Sequence, residues 1–303
     1  MRKNQGAASA MRYLTGAALI MLAGVVWSVQ GVLIRQLHES GSWAVLFWRS
    51  LGMVPVLVLW IGPTRFMPAL RQVGWAGAAG GLGLVLAFGG AIVALQSTTV
   101  ANAVLLFSAS PFFAAVFGRV LLKEPVSLPT WGAILLAVAG ILVMVGGVGQ
   151  IGGGQVLGTA AALISAAGFA AFTVTIRWGH VDDMLPAVLL GGIFSALAGA
   201  GAAMVSGQTL AVPPFEAGLA FGMGAVTLTG GMYLYTKGSQ IVPAAQATLL
   251  SLIEVLLAPV WAWAVLSETL SANSALGGAV LLGAMVLNAG LGLRGARPKQ
   301  KHP

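Results

Sequence analysis

The chain of 303 residues has no cysteine, and only 7% of its residues carry a charge. Without cysteine there is no disulfide, no thiol nucleophile and no thiolate metal ligand. Acids number seven and histidines three, and His38, His180 and His302 fall in expected loops or the tail. No nucleophile and base stand beside them at readable spacing, so the chain reads as a non-enzyme with no cofactor and no metal. Gly152, Gly153 and Gly154 make no phosphate cradle, because no strand precedes them and no lysine follows. The scarcity of charge excludes most: soluble domains are roughly 25% charged and 45 to 50% apolar, whereas 58% of this chain is hydrophobic. Such a chain cannot cover itself with polar surface, so it faces lipid.

What is present is ten apolar stretches, each long enough to cross a bilayer as a helix of about 20 residues. They run over 13–35, 43–61, 73–95, 98–120, 128–147, 155–177, 185–205, 215–237, 243–266 and 272–293. The first is too long for a signal-peptide core and lacks a small-residue cleavage site after it, so it is kept as a helix. With the N-terminus placed in the cytoplasm, Arg2, Lys3, Arg12, Arg65, Arg71, Arg119, Lys123, Arg177, Lys237, Arg294, Arg297, Lys299 and Lys301 fall inside and Arg35 alone outside. That bias predicts cytoplasmic termini. The net charge of +8 then reports topology and attraction to lipid headgroups, not nucleic-acid binding.

The chain also repeats itself. Ala101, Leu105, Leu106, Ala114, Leu122, Glu124 and Ser127 recur 144 positions later as Ala245, Leu249, Leu250, Ala258, Leu266, Glu268 and Ser271, and Asn102 is answered by Gln246. Gly16, Val32, Ile34 and Arg35 recur at a shift of 142 as Gly158, Val174, Ile176 and Arg177. Two copies of a five-helix unit result, over 13–147 and 155–293, followed by a basic cytoplasmic tail at 294–303. Five is odd, so the second copy enters the membrane from the opposite side. The expected fold is all-α and integral to the membrane: ten transmembrane helices in two inverted repeats around a central cavity, the usual frame of an alternating-access transporter.

The candidate site follows from residues that lipid would not tolerate. Glu254 is the one acid near the middle of an apolar stretch, and a buried charge there is a functional candidate or a protonated hydrogen-bonding group. Gln246, Leu250 and Glu254 lie four apart on one helix face, as do Asn102, Leu106 and Ser110 in the first copy. Trp27 aligns with Phe169; Trp27 shares its face with Gln30, and Phe169 shares its own with Thr173. With Tyr233, these residues make the expected substrate site: Trp27, Gln30, Asn102, Phe169, Thr173, Tyr233, Gln246 and Glu254. Pro111 and Pro259 each remove a backbone donor inside a span and are the candidate hinges. Arg49 either snorkels to the interface or meets a carboxylate. Gly77 with Gly81 and Gly218 with Gly222 read as close-approach pairs between helices.

The paired units, Arg49, the run from Pro111 to Pro125 and its echo from Pro259 to Glu268 resemble the drug/metabolite transporter superfamily with two EamA-type domains, over about 13–293. Two departures stand out: Gly191 occupies the position matching Arg49, and Pro111 falls opposite Val255. The likeness implies a multi-pass protein of the bacterial inner membrane, resembling exporters of aromatic and other neutral amino acids, with protons as a possible coupling ion. The alternative it leaves open is an exporter of lipophilic or quaternary cations, for which a membrane carboxylate among aromatics is a natural site.

Overall fold

The computed structural model describes residues 2–123, 128–146, 153–179, 183–241, 250–251 and 253–295. Regular structure among the described residues is helical throughout. Among the described residues, seven stretches are long and apolar enough to cross a membrane: Met11–Ile34, Ser42–Ile61, Gly74–Ser97, Val100–Leu121, Val156–Trp178, Leu185–Ser206 and Pro214–Gly238. Shorter apolar helices at Trp131–Val143, Ile253–Leu266 and Ala272–Ala284 lie where the fifth, ninth and tenth stretches were expected. The protein is integral to the membrane, and its outward face is apolar: Val205, Trp75 and Leu128 are 92%, 88% and 86% exposed.

Several spans are broken, each for a local reason. The first comprises α1 (Arg2–Ser28) and α2 (Gln30–Ile34). After α3 (Ser42–Ile61), the short α4 (Phe66–Gln72) and α5 (Gly74–Ser97), the fourth span divides into α6 (Val100–Phe107) and α7 (Ser110–Leu121). Pro111 sits in the first turn of α7, where its missing N–H costs nothing. The chain before it tightens into three-residue turns, with Ser108 N–H donating to Leu105 O at 3.2 Å and Ala109 N–H to Leu106 O at 3.0 Å. Further on come α8 (Leu128–Gly146), α9 (Gly153–Trp178), α10 (Leu185–Ser206) and α11 (Pro214–Gly222). A π-helical turn, Met223–Leu228, joins α11 to α12 (Thr229–Ser239). Finally α13 (Ile253–Leu266) runs unbroken through Pro259, and α14 (Ala272–Gly295) ends the described chain.

The duplication is visible in the packing. α5 packs on α9 as α12 packs on α1; α6 and α7 pack on α9 as α13 packs on α1; α3 meets α11 and the π turn as α10 meets α5. The α3–α10 and α8–α14 pairs join matching helices of the two copies. Even the backbone repeats: Lys123 and Ser267, at the same point of the two copies, both have φ 55°. A left-handed residue with a side chain costs roughly 1 to 2 kcal/mol, so two in register reflect one inherited turn.

One expectation is corrected. Gly81 does meet Leu190 and Gly191 of α10, but a Cβ on Gly218 or Gly222 would meet nothing. Close approach in the eighth span comes later, at Gly224 against the Arg49 carbonyl and at Gly231 against the Trp27 ring. Gly224 and Gly231 lie two and nine positions beyond Gly222, and at about 3.6 residues per turn that already puts them on roughly the opposite face of the helix.

Candidate functional site

A cavity of about 220 Å³ lies between the two copies. Trp27, Gln30, Phe169, Thr173, Glu254 and Pro111, all singled out from sequence, line it together with Arg49, Ser110 and Tyr235. Its walls come from the first to fourth apolar stretches and from the sixth, eighth and ninth. The Trp27 and Tyr235 rings stand 5.6 Å apart and the Phe169 and Tyr235 rings 6.2 Å, so the three form one aromatic cluster bridging the copies. Such a pocket, mostly apolar with a few directed polar groups, suits a small amphipathic ligand.

Two opposite charges enter it, one from each copy. Arg49 is 3% exposed, which overturns the snorkelling reading. Its helix is held between α10 and the π turn, so its side chain has no route along lipid to the interface. The approach is close enough that a Cβ at Gly224 would fall 1.7 Å from Arg49 O. The guanidinium lies over the Phe88 ring at 5.6 Å. Glu254 is placed by the same kind of contact, since Gly24 of α1 lets Ile253 and the Glu254 backbone approach. The two charges attract each other across the cavity. Among the described residues neither has a direct salt bridge, and the buried Arg49 Nε has no hydrogen-bond acceptor.

Other candidates lie elsewhere. Asn102 is buried on the far side of the break at Ser108, where its amide donates to Thr98 Oγ1 at 3.2 Å and its oxygen accepts from Ser274 Oγ at 3.4 Å. The break ends the shared face with Ser110, and only Ser110 reaches the cavity. Tyr233 packs on Trp60 at 4.6 Å and under the Lys237 ammonium, while Tyr235 takes the cavity position. Pro259 is one residue beyond the lining Ala258. Gln246 lies outside the described residues.

One helical turn beyond Gly31, Leu95 and Val104 of the cavity wall, the bundle is stitched by polar contacts. Glu268 accepts from Arg35 at 3.0 Å and from the Val100 N–H at 2.8 Å, while Arg35 also donates to Thr98 O at 2.6 Å. A carboxylate at the first N–H of α6 is favoured by the helix dipole. Nearby, Glu216 accepts from Ser40 Oγ at 2.5 Å and Gln96 Nε2 donates to Ser40 O at 3.1 Å. The ion pair thus lies beyond one end of the cavity and joins the first copy to the second.

The sequence pattern of the EamA-like transporter family matches twice, over residues 14–146 and 156–290. No curated protein matches. A crystal structure of another protein shares 19% identity, covers 93% of this chain and 98% of that one, and superposes with a TM-score of 0.65. At that identity the likeness shows a common fold alone.

Proposed function

The chain belongs to the EamA-like transporter family, so it is a membrane carrier of small molecules and not an enzyme, and we propose that it exports amino acids, aromatic and other neutral ones, from the cytoplasm. The observation that carries this reading is the cavity between the copies. It pairs an aromatic cluster with one cation and one anion, which matches the apolar side chain and the two charged groups of such a substrate. The site proposed from the geometry is Trp27, Gln30, Arg49, Phe169, Thr173, Tyr235 and Glu254.

In this reading all ten apolar stretches cross the membrane and the two repeats are inverted. Exchange of helix neighbours between the copies supports that symmetry. The distribution of basic residues supports cytoplasmic termini in a bacterial inner membrane, with the Glu268 end facing outward. Alternating access moves substrate between a cavity open inward and one open outward, with the break before Pro111 as the flexing point. Glu254 is the one acid among the described lining residues, so a proton exchanged for substrate would be carried there. Arg49 weighs against the lipophilic-cation alternative, because a guanidinium in the same small cavity repels such a cation.

Purified protein in liposomes is expected to accelerate uptake of phenylalanine, methionine and threonine over protein-free liposomes. An imposed pH gradient is expected to raise that uptake if a proton moves in exchange. Absence of uptake for all three amino acids would overturn the proposal.

A further inference from the structure

We infer that Arg49 and Glu254 form a divided clamp, Arg49 for the carboxylate and Glu254 for the ammonium of one substrate molecule, so that a ligand must carry both groups to bind well. The inference rests on the amino-acid reading and goes further than it: it assigns Arg49 a role and states which analogues the site rejects.

Arg49 is almost wholly withdrawn from solvent, yet its Nε has no acceptor. A buried donor without a partner is costly, and a buried charge more so. Such a group persists where another charge offsets it or where a ligand supplies the acceptor. The first condition holds here, and a bound substrate would meet the second. Glu254 lies on the same cavity and its charge attracts that of Arg49, but no salt bridge joins them. With both groups charged, the cavity holds one pole of each sign and no net charge, and Arg49 Nε has an acceptor to gain. A zwitterion adds no net charge and completes both poles at once. A lone cation or a lone anion completes one pole and leaves the other charge facing a neutral group.

The clamp also accounts for the places where the copies differ. Arg49 is matched by Gly191 and Glu254 by Ser110, so each repeat contributes one charge and neither contributes both. Each charge is seated by a glycine from the other copy, Gly224 for Arg49 and Gly24 for Glu254. A substrate bridging the two poles ties one repeat to the other. Moving the repeats apart stretches that bridge, so binding and the relative position of the repeats are linked.

The test compares phenylalanine with phenethylamine, which lacks the carboxylate, and 3-phenylpropionate, which lacks the ammonium. Binding to the purified full chain is read by calorimetry. Phenylalanine is expected to bind at least tenfold more tightly than either analogue, since hydrogen bonds to charged groups are each worth roughly a tenfold to hundredfold change in affinity. In Arg49→Gln the advantage of phenylalanine over phenethylamine is expected to vanish, while its advantage over 3-phenylpropionate persists. Glu254→Gln should show the mirror pattern. The double exchange Arg49→Glu with Glu254→Arg restores both poles in reverse and should recover part of the preference for phenylalanine, a readout that survives if a single variant fails to fold. If wild-type protein transports phenylalanine but binds the one-charge analogues equally well, the clamp is overturned and the amino-acid reading stands. If none of the three binds and none is transported, both fall.

Discussion

Replacing Gly224 by valine is expected to give a protein that melts well below the wild type and does not transport. The added Cβ would lie 1.7 Å from Arg49 O and 2.7 Å from Arg49 C. Both are backbone atoms, so no rotamer change relieves the overlap and α3 must move away from the π turn. A Cβ at nearby Gly52 would likewise meet Phe221 O at 2.0 Å, so the crossing has no slack on either helix. Overpacking of this kind costs roughly 1 to 3 kcal/mol or more, and each kcal/mol lowers the melting temperature of a chain this size by about 2 to 4 °C. Transport suffers further, because moving α3 displaces Arg49. Gly230→Ala is the control, since a Cβ there meets nothing. Thermal melts in detergent, scored together with liposome uptake, check the pair; a Gly224→Val protein that melts and transports like the wild type would show that the crossing is looser than described.

At Glu268 the expected effect is on conformation and not on folding. Glu268→Gln keeps the shape but removes the charge that holds Arg35 at 3.0 Å and favours the start of α6. Charged hydrogen bonds contribute about 1.5 to 3 kcal/mol each, so losing one charge shifts the balance between closed and open forms of this end by roughly tenfold or more. The natural lack of cysteine makes the measurement clean, because a single Ala91→Cys in the cavity wall is the only thiol. A membrane-impermeant maleimide added from the Glu268 side is expected to label that cysteine severalfold faster in Glu268→Gln. Arg35→Gln should do the same, and high salt should raise the wild-type rate towards theirs. Equal labelling rates in all three proteins would mean that the ion pair does not hold this end closed.

Much of this arrangement was legible in the sequence because lipid is an exacting solvent. Apolar length marked the spans, and Glu254 stood out because a charge at that depth needs a reason. Trp27, Gln30, Phe169 and Thr173 were found through pairing of the copies and helix spacing, which holds along unbroken helices. Where a helix is interrupted, the same spacing fails. Asn102 and Ser110 part company at the break before Pro111. For Arg49 the sequence leaves two readings open, for another reason. A long cation near a span end can reach water unless neighbours enclose it, and the neighbours that enclose it are about 140 to 175 positions away along the chain. A glycine aligned with the crossing, Gly224, was the available signal, but its importance depends on what it touches.

The exchange of neighbours between copies has a cost in time. α1 packs chiefly on α12 and α13, and about 200 residues separate Ser28 from Thr229. At roughly 5 to 20 residues per second of synthesis, the first helix waits about 10 to 40 seconds in the bilayer before its permanent neighbours are made. Through that interval Trp27, Gln30 and the cleft at Gly24 have only lipid or insertion machinery for company. A carrier whose halves depend on each other for function is, on the ribosome, also a carrier whose first half cannot finish folding until the second is nearly complete.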